Sequence, residues 1–267
     1  MQNLKIAAIQ TSPVFGDIDG NLARALALIP DGCDLAVLPE LFASGYQFRD
    51  TAEALAVAEE AAPNGSGGPV TATLTARAAA TGTTLVAGLA ERAGDAVYNS
   101  AVLIRPDGSR EIYRKVHLFD REKEIFAPGD LGFPVFTACG AKIGLMVCFD
   151  WIFPEAARSL ALAGAQILCH PSNLLLPWCP AAMVTRCQEN RVFAVTSNRV
   201  GHEDRTGQRL DFIGMSEIVS PLGDILKRMG REEEGAVVAD IDLDTIEKQV
   251  TPRNHIFDDR RPDQYRM

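Results

Sequence analysis

Short apolar runs rich in Val, Ile and Leu alternate along this chain with Ala-rich stretches of helical period. That alternation is the pattern of a layered α/β protein. The runs predict strands at Lys5–Gln10, Asp34–Leu38, Thr84–Ala90, Asn99–Arg105, Arg110–Lys115, Ile143–Cys148, Gln166–His170, Phe193–Ser197, Met215–Ser220 and Val237–Ile241. The stretches between them predict helices at Asn21–Leu28, Val70–Ala80, Pro154–Ala163 and Ala181–Asn190. Pro154 suits a first helical position because it has no amide proton to leave unpaired. Asp107-Gly108 after Pro106 supplies the turn chemistry of a hairpin. ARALAL before the run DLAVLPE is echoed by ARSLAL before QILCHPS, which suggests two related halves.

Three of the apolar runs end in a reactive side chain: Glu40 after DLAVLP, Lys115 closing REIYRK, and Cys148 after KIGLMV. Each is costly to desolvate unless it is paired, so the set serves chemistry better than stability. A carboxylate can take a thiol proton, and an ammonium can favour the anionic nucleophile and the oxyanion that follows its attack on a carbonyl. Together they spell a thiol-acyl hydrolase. Cys148 stands where a strand turns toward a helix, an elbow that exposes a nucleophile and aims the Phe149 amide at the developing oxyanion. The apolar run before Glu40, with Phe42 and Tyr46 after it, points to partial burial and so to a raised carboxyl pKa suited to a general base. Strand alternation turns Arg114 and Lys115 opposite ways, so one of them should be solvated. His117 or His170 beside Cys148 would make a papain-like alternative, but neither has a sequence context for it and Glu40 would be left unexplained.

The segments PELFASGY, YRKVHLF with FAPGD after it, and VCFDWIFPE, in this order, resemble the Glu-Lys-Cys signatures of the nitrilase superfamily, the carbon-nitrogen hydrolases of amides, nitriles and carbamoyl compounds. The likeness runs from LKIAAIQ to RNHIFDDRRPDQY. It implies an α/β fold, a four-layer α-β-β-α sandwich. Residues 1–267 would form a single carbon-nitrogen hydrolase domain, with a tail at 251–267 lying at a homodimer interface. It implies Glu40 as general base, Lys115 as oxyanion donor, Cys148 as nucleophile, and no cofactor. Glu122, by its distance from Ala127-Pro128-Gly129-Asp130, matches a second glutamate that orients the lysine and the substrate amino group, with Glu124 the neighbouring candidate. Phe42, Tyr46, Phe149, Trp151, Asn173 and Trp178 are the expected substrate-binding residues. The expected reaction is hydrolysis of a small, largely uncharged aliphatic amide through a cysteine thioester, releasing ammonia or an amine. Phe149-Asp150 after the nucleophile resembles the amidase branches more than the Trp-Glu common in nitrilases, so a nitrilase acting on a small aliphatic nitrile is the alternative. A catalytically silent binding partner is the alternative of another class.

Composition bears mainly on partners. At 267 residues, 47% hydrophobic and 23% charged, the chain can bury a full core. A formal charge of -9 and a pI near 5.0 argue against a nucleic-acid or anionic-membrane partner, leaving a small-molecule amide or nitrile. The N-terminus has no signal-peptide layout and no apolar run is long enough to span a membrane, so a cytoplasmic protein is expected. Its six cysteines are scattered through apolar surroundings, which suits reduced thiols, with Cys148 expected to be the accessible, low-pKa one. The spacing of Cys169, His170 and Cys179 matches no zinc pattern, so no metal is expected.

Overall fold

The computed structural model describes residues 3–265; Arg266 and Met267, the end of the expected interface tail, lie outside the described residues, as do Met1 and Gln2. The first sheet gathers β1 (Asn3–Gln10), β2 (Leu35–Val37), β3 (Thr84–Ala93), β4 (Ala96–Ile104) and β5 (Arg110–Arg114). The second begins with β6 (Val135–Ala138), β7 (Ala141–Leu145), β8 (Ile167–Pro171) and β9 (Phe193–Ser197). A small hairpin, β10 (His202–Asp204) and β11 (Arg209–Asp211), interrupts it before β12 (Glu217–Val219) and β13 (Ile225–Arg228) complete it. β14 (Gly235–Asp242) then returns to pair antiparallel along β1. The orders are β14, β1, β2, β3, β4, β5 and β13, β12, β9, β8, β7, β6.

The sequence echo corresponds to a shared βαβ plan. β1, β2 and β3 run parallel, as do β7, β8 and β9. The first set is connected through α1 (Ile18–Ala27), α2 (Thr51–Val57) and α3 (Pro69–Thr81). After the short α4 (Glu122–Ile125), the second set is connected through α5 (Pro154–Leu162) and α6 (Cys179–Asn190), and Pro154 does open its helix.

Side-chain alternation builds the layers. Ile6 and Ala8 of β1 face the second sheet, where they share a core with Ile143, Ile167 and Val195. Ala7 and Ile9 point the other way, against Leu22 and Ala25 of α1 and Leu74 and Ala78 of α3. Strands buried on both faces must be apolar throughout, which is why these runs show no polar beat. Ala157 and Leu160 of α5 and Met183 of α6 cover the far side of the second sheet, giving the α-β-β-α sandwich.

Some elements depart from the apolar pattern. The strand expected over Ile143–Cys148 stops at Leu145, and Cys148–Ile152 forms a 3-10 turn. α2 is short and half-buried, but it carries a polar start signal: Asp50 accepts from Glu53 N at 2.8 Å while Glu53 accepts from Arg49 N at 2.7 Å. β13 is mostly exposed and so has no apolar face to read. The tail folds onto its own chain. Phe257 lies under the Arg158 guanidinium and the Lys248 ammonium, which donates to Asn190 O and Arg191 O at the end of α6. Among the described residues no helix is long and apolar enough to cross a membrane.

The sheets are also tied by a polar stitch. The Ser197 hydroxyl, at the end of β9, reaches two carbonyls of the facing sheet, Ile9 O and Val37 O, the latter at 2.8 Å. Ser197→Ala would strip this donor from a fully buried position. We expect a loss of about 1–2 kcal/mol, seen as a lower urea midpoint with an unchanged denaturant slope.

Candidate active site

Glu40 lies three residues past the carboxyl end of β2, a central strand, and its backbone lies hard against β3. A Cβ on Gly88 would stand 2.4 Å from Glu40 Cα and 2.9 Å from Leu41 N, so only glycine fits there. Lys115 extends β5, with its amide bonded to Asn99 O at 2.8 Å. Gly129 crowds the same stretch, where a Cβ would meet Arg114 O at 2.1 Å. These close approaches bring Lys115 Nζ to 2.7 Å from Glu40 Oε1 and 2.8 Å from Glu122, with all three side chains buried. Asn99 Nδ2 donates to Glu40 Oε1 at 2.6 Å, and Phe119 N donates to Glu122 Oε2 at 2.9 Å. Burial opposes the Lys115 charge, but Glu122 and Glu40 outweigh it and hold the ammonium well above its ordinary value. Burial pushes the Glu122 carboxyl up against the pull of Lys115. Glu40 Oε2 is buried and has no hydrogen-bond partner.

Cys148 opens the 3-10 turn with φ at +41°, a left-handed conformation that is uncommon for a residue with a Cβ. Two buried side chains brace that turn. Asp150 accepts from Val147 N at 2.8 Å and Tyr113 Oη at 2.6 Å, and its other oxygen pairs with His117 Nδ1 at 2.8 Å, linking the elbow to the Lys115 segment. His170 Nε2 lies 2.8 Å from Cys148 O, with Nδ1 at 3.1 Å from Thr196 Oγ1. Both ring nitrogens of His170 are thus engaged, and neither His170 nor His117 lines the cavity that holds Cys148. Burial also lowers the His170 pKa to about 4, so the ring is neutral near pH 7.

The thiol itself differs from the sequence expectation. Cys148 is buried, and burial, then the Glu40 charge, pushes its pKa well up, while Lys115 and the Asn173 backbone amide pull the other way. Burial and the Glu40 charge thus favour the protonated thiol over an accessible thiolate.

Phe149, Trp151 and Asn173 share with Cys148 a small cavity. The Asn173 side-chain amide is buried there with neither Oδ1 nor Nδ2 hydrogen-bonded. Tyr46 faces the carboxylates in an adjoining cavity; burial, then Glu122 and Glu40, keeps its phenol protonated. Glu122 is the glutamate on Lys115, whereas Glu124 is exposed beside Arg121. Two expected pocket residues are not brought to the site. Phe42 is buried in the core beneath α1 and α3, and Trp178, just before α6, is 61% exposed. Arg114 faces away from Lys115 as alternation requires, but it is paired with Glu91 at 2.8 Å and Asp130 at 2.9 Å instead of being solvated. Asn99, Gly88, Gly129 and Asp150 were missed as site residues. Asp150, two residues after Cys148, had the only local signal, a carboxylate within an aromatic turn.

A family model for carbon-nitrogen hydrolases matches residues 5–249. The chain belongs to the carbon-nitrogen hydrolase family. It is 45% identical over 267 residues to a nitrilase of Pyrococcus abyssi, covering 98% of this chain and 99% of that relative. Among solved structures, Saccharomyces cerevisiae Nit3, a member of branch 10 of the nitrilase superfamily, matches with a TM-score of 0.81 at 27% identity and 92% coverage of each chain. A variant of the amidase from Nesterenkonia sp. AN1, with the acetamide moiety of fluoroacetamide added covalently at its active-site cysteine, matches with a TM-score of 0.76 at 28% identity, covering 90% of this chain and 91% of that one. The protein is thus a hydrolase of the nitrilase superfamily with that superfamily's sandwich, and a catalytically silent role is set aside.

The neutral His170 gives this carbon-nitrogen hydrolase a pH signature. Between pH 6.5 and 4 the unfolded chain takes up a proton on this residue that the native state refuses, so stability falls as pH drops through that window, by about 3 kcal/mol. His170→Gln removes the component while keeping an amide donor for Cys148 O. The stability gap between wild type and variant, from urea unfolding, should therefore narrow from pH 7 to pH 4.5. Glu217, whose carboxyl burial pushes up to about 7, runs in the opposite direction and cancels in that difference.

Proposed function

We propose that this carbon-nitrogen hydrolase cleaves a small aliphatic amide through a thioester on Cys148, without a cofactor. The observation that carries the reading is the buried, unpartnered Glu40 Oε2 in the cluster that Lys115 and Glu122 form beside Cys148. Glu40 takes the thiol proton as Cys148 sulfur attacks the carbonyl carbon. The oxyanion is met by Lys115 and by the Phe149 amide, which lies in the first turn of the 3-10 segment, where helical amides lack intrahelical acceptors. Glu40 returns the proton to nitrogen, the C–N bond breaks, and ammonia leaves. Water then enters, loses a proton to Glu40, and attacks the thioester; collapse expels the sulfur, which regains its proton.

The second carboxylate has a distinct task. With Lys115 held cationic between two acids, Glu122 keeps the ammonium in place while Glu40 changes its protonation state. Asn173, with both amide atoms unpaired, and Trp151 contact the substrate beside the nucleophile, and Tyr46 lines its far side. The covalent acetamide adduct at the Nesterenkonia amidase cysteine supports an acyl-bearing thiol on this fold. A nitrile substrate is the second reading, favoured by the Pyrococcus abyssi nitrilase at 45% identity. Phe149-Asp150 after the nucleophile still favours the amide.

Residues 1–267 act as one domain, and the free state of all six thiols suits the reducing cytoplasm. The working unit is a homodimer joined at α5, α6 and the tail, where Ile152 and Leu162 expose apolar surface. Light scattering at micromolar concentration should return twice the 28.8 kDa chain mass; a mass equal to one chain would sink the dimer.

Ammonia release from short aliphatic amides and the matching nitriles tests the chemistry. The amide should have the higher kcat/KM, and a tenfold preference for the nitrile, about 1.4 kcal/mol of transition-state discrimination, would move the assignment to a nitrilase. Cys148→Ala should lose roughly 10⁴-fold or more. Retention of more than about a hundredth of the activity would rule out the thioester route.

A further inference from the structure

The loop after Glu40 and the hairpin β10–β11 border a small cavity next to the one that holds Cys148. Phe119 and Leu175 line both, so the two cavities adjoin. Glu122 and Tyr46 stand in the second cavity, and Phe48 and Leu210 give it hydrocarbon sides. Its polar rim is already engaged. Gln47 donates to Gln208 O at 2.6 Å and accepts from Arg205 N at 2.5 Å, and the Arg121 guanidinium is held by Glu124 and Arg49 O.

The hairpin strands are three residues each, too short to hold a position unaided. Glu203 of β10 supplies the anchor. Its buried carboxylate accepts from Tyr46 N at 3.0 Å and Gln47 N at 2.6 Å and pairs with the buried Arg199. Arg199 in turn donates to Pro13 O at 3.1 Å and lies 4.0 Å over the Phe212 ring. One ion pair therefore sets both the hairpin wall and the backbone of Tyr46.

We propose that this cavity receives the hydrocarbon substituent on the substrate's reacting carbon, that Leu210 limits its length, and that Glu203 is a positioning residue keeping the wall and Tyr46 in register. The inference deepens the amidase reading and rests on it. When the departing group is ammonia, only the acyl side needs apolar enclosure.

Straight-chain alkanals from ethanal to octanal test the cavity without any C–N cleavage. Each adds reversibly to a thiol, forming a C–S bond while the thiol proton passes to the carbonyl oxygen. Their protection of Cys148 against 2-chloroacetamide, read by mass spectrometry of the Cys148 peptide, gives an affinity for each chain length. Leu210→Ala should move the optimum to longer chains, with about fourfold tighter protection for each methylene newly admitted, and Leu210→Phe should move it to shorter ones. Glu203→Gln should weaken protection by the longest alkanals roughly tenfold while ethanal changes by less than about twofold. A chain-length optimum that neither Leu210 variant moves would overturn the subsite, and a loss uniform across lengths in Glu203→Gln would overturn the positioning role. If Cys148 were neither alkylated nor protected, the nucleophile assignment would fall first and the subsite with it.

Discussion

A lysine ammonium buried in a protein interior is tolerable only with counter-charge in contact, and here that need is met twice, by Glu40 and by Glu122. The consequence is architectural as well as electrostatic. Glu40 arrives from the connection after β2, while Lys115 and Glu122 both come from the connection that follows β5, so the ammonium ties two connections together. Asn99 on β4 adds a neutral donor to Glu40. Cys148 comes from the second half of the chain, after β7, so the charged cluster and the thiol meet where the two halves of the sandwich face each other.

The second half meets that requirement with a strained elbow and two braces. Cys148 holds a positive φ, and conformations of this kind persist only where the surroundings over-determine them. Asp150 ties the turn to Tyr113 and His117 across the sheet interface, and His170 holds the Cys148 carbonyl from the neighbouring strand. Both are polar groups in a buried setting with good partners, the condition under which such groups rigidify a site.

The reactive trio was legible because each member closes an apolar run that a strand needs anyway, so the chain advertises both the element and its charged end. What could not be read are residues that act by letting backbones approach. Gly88 and Gly129 look like ordinary strand and loop glycines, and only the packed structure reveals Glu40 and Arg114 within a methyl's width of them. The aromatic residues after Glu40 illustrate a second limit. Phe42 and Tyr46 are both near it in sequence, but Leu41 adopts φ +49°, and Phe42 is buried in the helix-facing core while Tyr46 reaches the carboxylates. Trp178 precedes α6 on the exposed side, where apolar character alone gave no direction. Arg114 was expected in solvent because Glu91 and Asp130 are distant in sequence. The hairpin β10–β11 is mostly polar and half-exposed, so nothing in its pattern connected it with the site.

The resting protonation of Cys148 has a bearing on how long such an enzyme lasts. Oxidants attack the thiolate, and enzymes that store a low-pKa cysteine carry that vulnerability through every idle moment. Here burial and the neighbouring carboxylate keep the sulfur as a thiol, and on the proposed mechanism the anion exists only while a carbonyl carbon is there to receive it. On that mechanism the electrostatics that delay activation until substrate binds would also leave the sulfur less open to peroxide between turnovers.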